Sequence, residues 1–565
     1  MFLLGIFALI QCWILPGLLI LSFYKDINIK DKLILSVPLS LVTNYIIILI
    51  LLVFNSFNQI SIILISSVSL IASFLLYKSE IFKILKVKVI NIKLDFLSII
   101  SIFLFGIILY LAIKSTGKII HPGDPYVMWN MWAIDIFSGR LPSGSMDYPL
   151  AYPIMQAITY SMIGTDKVEF FAQSVQLIYP ILIFFVFLRI IELTNTDKEK
   201  IKLTLIITLI LILNQFRHTL FIGFVDPILV TSSVLIIYLI YFLKKFNFHI
   251  NSFKFLLILG FIITSSGVTK QTGLYISALS PFVIFLSLKF KLNLFLIKKI
   301  LFLCLIIFII LSPWYIYKIF LFEKDIDSLN ALNLINLYHG DLLSKITRTS
   351  VLIFGHQLIF IFVVLLALIS LRNKLSRLFI ILIIFPYYLI WSFLYGNDAR
   401  NFALVLPFIG YVIADSIVII ENYFKKIHIF KYSKIFLSFS LFLLIFIFAN
   451  EKRNYNYMLD KNFKQSKNRT QHYDVNVLLY HYKNQITESN NYYFSKYSFI
   501  FLPGFENGLF LQCNENGLKK LKYSKKKIFY LYQKSTCSKK FLESKIISNK
   551  SNIIFEKNGF ILFSK

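Results

Sequence analysis

The feature that most constrains this chain is a succession of apolar blocks, mostly 17 to 23 residues long, with little charge inside them. About 20 apolar residues in helical form cross the roughly 30 Å of hydrocarbon in a bilayer. In lipid every backbone N–H and C=O must be satisfied within its own segment, so these blocks are predicted to be helices even though they are rich in Ile and Phe. They lie near 1–23, 33–53, 60–77, 96–115, 169–192, 203–220, 225–243, 255–269, 272–288, 300–319, 350–370, 378–396, 402–421 and 435–450. The expected fold class is therefore an all-α polytopic membrane protein of about 13–14 transmembrane helices. The first block has neither a basic n-region nor a small-residue cleavage site, so it reads as a retained span rather than a signal peptide.

Composition agrees: 58% of residues are hydrophobic and 15% charged, against about half and a quarter in a soluble domain. A net charge of +30 would suit nucleic acid if it formed a basic face. Instead the Lys and Arg residues fill short loops between the blocks, at 25–32, 78–93, 198–202, 244–254, 289–299, 372–377 and 425–434. With the spans above, every one of these loops falls on the same side, which is the positive-inside pattern. Nucleic acid is excluded as a partner and the lipid bilayer is the expected one. The N-terminus is then extracytoplasmic, and so is everything after Asn450.

The segments on the other side differ in character. Residues 54–59 form an uncharged turn, 116–168 a long loop with Trp, Tyr, Pro and Asp, 320–349 a second long loop, and 396–400 a short polar tip. Long ordered loops commonly carry function. Residues 451–565 lose hydrophobicity and gain Lys, Asn, Ser and Tyr. A helical stretch at 473–482 precedes strand-like runs at 492–502, 527–532 and 553–563, and Asn558-Gly559 is a hairpin signal. The predicted organisation is N-terminal transmembrane helices over 1–95, a transmembrane catalytic module over 96–450, and a small extracytoplasmic α/β soluble domain over 451–565. Of four cysteines, Cys12 and Cys304 lie in apolar spans as buried thiols, while Cys513 and Cys537 share the C-terminal domain and are expected to pair in an oxidising compartment.

Candidate chemistry gathers in the polar segments. Residues 121–137 read HPGDPYVMWNMWAIDIF; Asp124 opens this segment, and Trp129, Trp132 and Asp135 follow at helical spacing. Aromatic rings beside a carboxylate suit a sugar. The same pattern is also that of an interfacial helix with Asp124 as its N-cap. Asp147 and Tyr148 stand in MDYPLAYP, which is equally a Pro-punctuated turn. Asp226-Pro227 opens a span as a helix start would. Lys270, in GVTKQTG, and Arg400, in GNDARN, are ionisable residues at span ends, either functional or snorkelling to the interface. His356 reads as a helix–helix contact, and His339 is an open candidate in the second long loop. Asp124, Asp147, Asp226, Lys270, His339 and Arg400 all fall on the extracytoplasmic side under a topology set by other residues. A transporter would instead place polar groups near the bilayer midplane in two matching halves.

The acidic residue opening the first large loop, the Tyr/Trp helix after it, the Asp-Tyr-Pro segment running into QAITYSMIG, and the later GFVDP, TKQTG and ARNFALVLP stretches occur in an order that resembles the GT-C superfamily. That superfamily comprises polyprenyl-phosphate-sugar glycosyltransferases, among them protein O-mannosyltransferases and aminoarabinose transferases. The resemblance covers about residues 96–420, with Pro125 standing where many members have a second acid. It implies an inverting glycosyltransferase in a bacterial plasma (inner) membrane. The donor would be a polyprenyl-phosphate-linked sugar and the acceptor an envelope glycan, lipid or protein. Asp124 would be the general base. Lys270 and Arg400 would bind and stabilise the phosphate leaving group. Asp147 and Asp226 would position sugar or acceptor, with Trp129, Trp132 and Tyr148 lining the site. No cofactor is implied. A divalent metal is compatible with His121 beside Asp124, although no metal ligand set is diagnostic. The competing expectations are an O-antigen polymerase or ligase and a lipid or polysaccharide flippase.

Overall fold

The computed structural model describes residues 1–85, 95–116, 125–142, 148–166, 168–216, 224–246, 252–288, 294–322, 342–354, 357–394 and 399–426. In the C-terminal part it describes 475, 478–479, 481–488, 492–495, 509–511, 513–514, 521, 527–544, 553–557 and 559–564. The predicted span 435–450 and the residues His121, Asp124, Asp147, His339 and His356 lie outside the described residues. The chain divides into two compact units, one of residues 1–117 with 147–452 and the other of 118–146 with 453–565.

The first unit is helical. Its helices are α1 (Phe2–Trp13), α2 (Leu15–Leu21), α3 (Ile29–Val53), α4 (Gln59–Leu85) and α5 (Phe96–Ser115). After the second unit's α6 (Met131–Phe137) come α7 (Ala151–Ile163), α8 (Glu169–Ser174), α9 (Ile178–Leu193), α10 (Lys198–Phe216) and α11 (Asp226–Lys245). The series ends with α12 (Phe253–Thr264), α13 (Gln271–Ser287), α14 (Leu294–Phe322), α15 (Leu342–Phe354), α16 (Gln357–Ser370), α17 (Lys374–Leu378), α18 (Phe385–Leu394) and α19 (Leu406–Lys426). A 3₁₀ segment, Val175–Leu177, joins α8 to α9, another, Ala399–Val405, leads into α19, and a π-helical turn, Phe379–Ile384, joins α17 to α18.

Thirteen of the fourteen predicted blocks lie on described helices. Among the described residues, eight helices or collinear runs are each long and apolar enough to cross a membrane. The pairs α1/α2, bent by 43°, and α15/α16, bent by 90°, raise the number to ten if each is one span. The chain is thus a multi-pass helical membrane protein. Helix starts follow local chemistry: Asn28 caps α3, Asp95 caps α5 and Ser252 caps α12 through side-chain oxygens on backbone N–H groups. Gly164, at φ +81°, closes α7 in the left-handed region.

Burial orders the bundle. The spans of α4 and α5 are each 28% buried and present Ile, Leu and Phe outward, as lipid-facing helices do. By contrast the whole 20-residue span of α11 is buried. Its hydroxyls Thr231, Ser232 and Ser233 are satisfied on the carbonyls of Pro227, Ile228 and Leu229, so an interior helix carries polar groups at little cost.

Helices α12 and α13 depart from the sequence expectation. At 12 and 17 residues they rise about 18 and 25 Å, less than a bilayer core. Between them residues 265–270 are non-helical and fully buried. Ser266 Oγ donates to the Gly273 carbonyl at 3.0 Å, and Ser277 Oγ accepts from Gly267 N–H at 3.1 Å. Irregular backbone at depth requires such partners. A Cβ at Gly273 would overlap the Ser266 carbonyl, so glycine is required there.

The second unit contains the π-helical turn Pro125–Asn130 with α6, and the C-terminal α/β fold. Strands β1 (Tyr492–Phe494), β2 (Leu509–Phe510), β3 (Phe529–Gln533), β4 (Ile553–Lys557) and β5 (Phe560–Ser564) form one sheet in the order β2-β1-β3-β5-β4. Strand β1 runs parallel to β2 and β3, while β3–β5 and β4–β5 are antiparallel. The predicted hairpin is present, with Gly559 at φ +77° between β4 and β5. Phe529 and Leu531 pack on one face with Val475 and Leu479, and Tyr530 and Tyr532 on the other with Phe541. The central strand is therefore covered on both sides. Short helices Lys483–Glu488 and Lys539–Leu542 flank it. Cys513 and Cys537 form the expected disulfide, with Cα atoms 4.8 Å apart.

Candidate functional site: a buried ion pair at the end of the interior helix

The interior helix α11 begins at Asp226, with Pro227 in its first turn. The Asp226 side chain is 2% exposed and that of Lys270, at the end of the buried turn between α12 and α13, is 8% exposed. Lys270 Nζ donates to Asp226 Oδ1 at 3.1 Å. The pair is incompletely satisfied. Asp226 Oδ2 is buried without a hydrogen-bond partner among the described residues. Asp226 Oδ1 is the single acceptor that Lys270 Nζ reaches among them, although an ammonium carries three N–H groups. Among the described residues, a carboxylate oxygen and ammonium N–H groups of this pair thus have no partner.

Arg400 packs on the residue stretch that leads into α11. Its guanidinium carbon lies 4.2 Å from the ring centroid of Phe224, two residues before Asp226. Several contacts bind its segment to the same elements. Ser233 Oγ donates to the Leu404 carbonyl at 2.5 Å. Tyr387 donates to the Asn401 carbonyl at 2.6 Å and packs at 4.9 Å on Tyr275, near the start of α13. Helix α7 joins from a third side, since Ala151 N–H donates to the Val268 carbonyl, two residues before Lys270. Half-buried Tyr148 lies just ahead of α7. Next to Asp226, Pro227 and Val230 line a small apolar crevice with Ile108, Pro180, Ile183, Leu209 and Ile212.

The structure therefore brings Asp226, Lys270 and Arg400 into one neighbourhood from separate stretches of sequence. Snorkelling does not describe Lys270, whose ammonium is buried on a carboxylate. Trp129 and Trp132 belong to the second unit. They pack edge to face with ring centroids 5.1 Å apart, 3% and 2% exposed. Asp135 pairs with exposed Arg140 at 3.2 Å. No group of three metal-ligating side chains occurs among the described residues.

Sequence reasoning missed a second ionic cluster, at the Lys245 end of α11. Asp31 is fully buried and accepts Arg189 Nε and Nη2, each at 2.7 Å, with the Tyr238 hydroxyl on Oδ1 at 2.8 Å. Arg189 continues to Glu192 at 2.6 Å, and Glu192 to Lys30 at 2.9 Å. Beside it Asp415 accepts Asn373 Nδ2 at 2.9 Å and Ser376 Oγ at 2.7 Å, with Lys200 at 3.5 Å. An Arg inside the apolar block 169–192 was the available signal.

Comparison with protein-family models, with curated proteins and with solved structures returns no match to this chain.

Proposed function

We propose that the chain is a membrane glycosyltransferase that moves a sugar from a polyprenyl-phosphate donor to an envelope acceptor at the outer face of a bacterial plasma membrane. The observation that carries this reading is the under-satisfied Asp226–Lys270 pair with Arg400 packed on Phe224. A lipid phosphate accepts hydrogen bonds from an ammonium and a guanidinium together, and its leaving-group charge is stabilised by both. The free Asp226 oxygen accepts a hydroxyl of sugar or acceptor. Asp124 retains the role of general base that the resemblance implies; its carboxylate would take the acceptor's hydroxyl proton as the oxygen attacks the anomeric carbon and the phosphate departs.

The test is transfer by the full chain in proteoliposomes, with radiolabelled polyprenyl-phosphate hexoses as donors and an envelope extract as acceptor. Asp124→Asn keeps size and capping ability while removing the charge. Transfer should fall by about 10²-fold or more if Asp124 is the base, since general-base catalysis contributes about 10² to 10⁴. Unchanged transfer by Asp124→Asn would remove it from the mechanism.

One observation favours a second reading, a flippase for lipid-linked saccharides. The short helices α12 and α13 enclose a buried non-helical turn that ends in an ion pair. Discontinuous helices with polar ends at depth are a feature of transporters. Vesicles in which the lipid-linked sugar changes leaflet, with no sugar leaving the lipid, would favour the flippase.

A further inference from the structure

Helix α15 (Leu342–Phe354) turns from the axis of α16 (Gln357–Ser370) by 90°. Helix α16 presents Leu358, Ile361, Phe362, Leu365 and Leu368 outward, as a lipid-facing span does, and leads into the basic residues Arg372, Lys374 and Arg377. A helix perpendicular to such a span lies along the membrane surface, and α15 lies at the surface opposite that basic loop. The length of α16 agrees. Its 14 residues rise about 21 Å, roughly 9 Å less than the hydrocarbon core. An interfacial helix sinks about 5–10 Å below the headgroups, which makes up the difference.

One face of α15 fixes it to the protein. The Thr349 hydroxyl lies 3.2 Å from that of Tyr388 and 3.0 Å from that of Ser392, both on α18, and Tyr388 also donates to the Ile346 carbonyl at 3.0 Å. Ser350, Ile353 and Phe354 are buried on the same side. The opposite face is exposed and divides along its length. Toward its start stand Ser344 and Arg348 with half-buried Lys345, and toward α16 stand Val351 and Leu352. Lys345 and Arg348 are neighbours at i, i+3, and Leu352 continues their row. The Lys345 ammonium lies 5.7 Å from the Phe393 ring centroid, which holds it at this edge of the helix.

We propose that α15 is an interfacial helix whose Lys345 and Arg348 hold the phosphate of an anionic phospholipid headgroup while Val351 and Leu352 enter the acyl region beneath it. Two observations select a lipid as the occupant. The two cations complement an anionic headgroup. The exposed apolar residues of α15 lead toward the lipid-facing side of α16, so one surface meets one bilayer. A free anion would use the cations and leave Val351 and Leu352 uncovered.

The test titrates the full chain in neutral detergent with fluorescent phosphatidylglycerol and with phosphatidylcholine. The wild type should bind phosphatidylglycerol about tenfold or more tightly, because each cation near a membrane surface adds to anionic-lipid affinity. That preference should shrink to within about twofold in Lys345→Gln with Arg348→Gln, and survive in Lys345→Arg with Arg348→Lys, which keeps both charges. Excess inorganic phosphate should leave the lipid bound. A spin label at Leu352→Cys, in a chain with Cys12→Ala and Cys304→Ala, should collide more with oxygen dissolved in the bilayer than with a water-soluble nickel complex. The label leaves both cations in place, so it tests the placement even where the Gln pair fails to fold. No preference in the wild type, a preference that persists in the Gln pair, or its loss in the charge-keeping pair each overturns the assignment. Displacement by inorganic phosphate makes this a plain anion site and overturns it too. A label reached chiefly by the nickel complex puts the face in water, and one shielded from both relaxants puts it under protein, and either result overturns the interfacial placement.

Discussion

The two ends of α11 carry ionic groups of opposite character. At the Lys245 end, Asp31 accepts three hydrogen bonds, its Arg189 partner is bidentate and extends to Glu192, and Tyr238 completes the set. At the Asp226 end, a carboxylate and an ammonium make one contact and, among the described residues, leave an oxygen and N–H groups over. Both sites are buried, and burial of charge is costly unless every partner is supplied. A saturated network is what a structural anchor requires. An unsaturated pair persists when something other than stability maintains it, and under the proposed function a phosphate with an adjacent hydroxyl would supply the missing partners.

The largest expected effect breaks this contrast on activity. Lys270→Met should lower sugar transfer per folded molecule by about 10²-fold or more, as loss of a buried leaving-group cation does. Matched changes at Arg189 should leave transfer per folded molecule within about threefold. Equal losses at both ends, measured by initial rates in proteoliposomes, would erase the distinction.

Stability should respond in the reverse sense. Arg189→Met strands Asp31 in the interior and should cost about 3–5 kcal/mol. Replacing both members at the other end, Asp226→Leu with Lys270→Met, should be neutral or stabilising by about 1–4 kcal/mol while abolishing transfer, since removing a whole buried pair often is. The equivalent double change, Asp31→Leu with Arg189→Met, takes partners from Tyr238 and Glu192 and should still lose about 1–3 kcal/mol. Thermal unfolding in one detergent compares all three variants.

The C-terminal sheet offers milder tests away from the bilayer. Cys513→Ser with Cys537→Ser opens a loop of 24 positions and should cost roughly 3 kcal/mol in the chain-entropy model, read by reductant-dependent proteolysis. Burial pushes the Tyr530 phenol upward and that of Tyr532 up to about 12, with Glu556 adding to the latter. Both folded values exceed the unfolded value of about 10. Their contribution is therefore complete below pH 10 and is lost as pH rises toward 12. Phenolate absorbance should appear together with loss of the sheet, not before it.

Much of this architecture was legible in the sequence, because the period and length of apolar blocks are set by the bilayer. Thirteen blocks coincide with helices, the Asn-Gly turn makes its hairpin, and Cys513 meets Cys537. Asp226, Lys270 and Arg400 were legible as ionisable residues at span ends, while their convergence was expected only through the resemblance. That depends on helix packing between residues up to 174 positions apart (from 226 to 400). The short α12 and α13 were read as ordinary spans because apolar length alone does not register the Gly273 close approach that folds the chain back. Asp31 was hidden among the lysines of a basic loop, since that pattern does not reveal who the partner is.

Affinity for polyprenyl phosphate, measured on the wild-type chain, on Lys270→Met and on Arg189→Met in the same nanodiscs, compares the two ends with one ligand. An unsaturated pair that receives the lipid phosphate predicts binding by the wild type and by folded Arg189→Met within about threefold of each other, and a loss of about 10²-fold in Lys270→Met, the size of a buried charge-assisted contact. Equal affinity in all three proteins would contradict it and leave Asp226–Lys270 as a second structural ion pair.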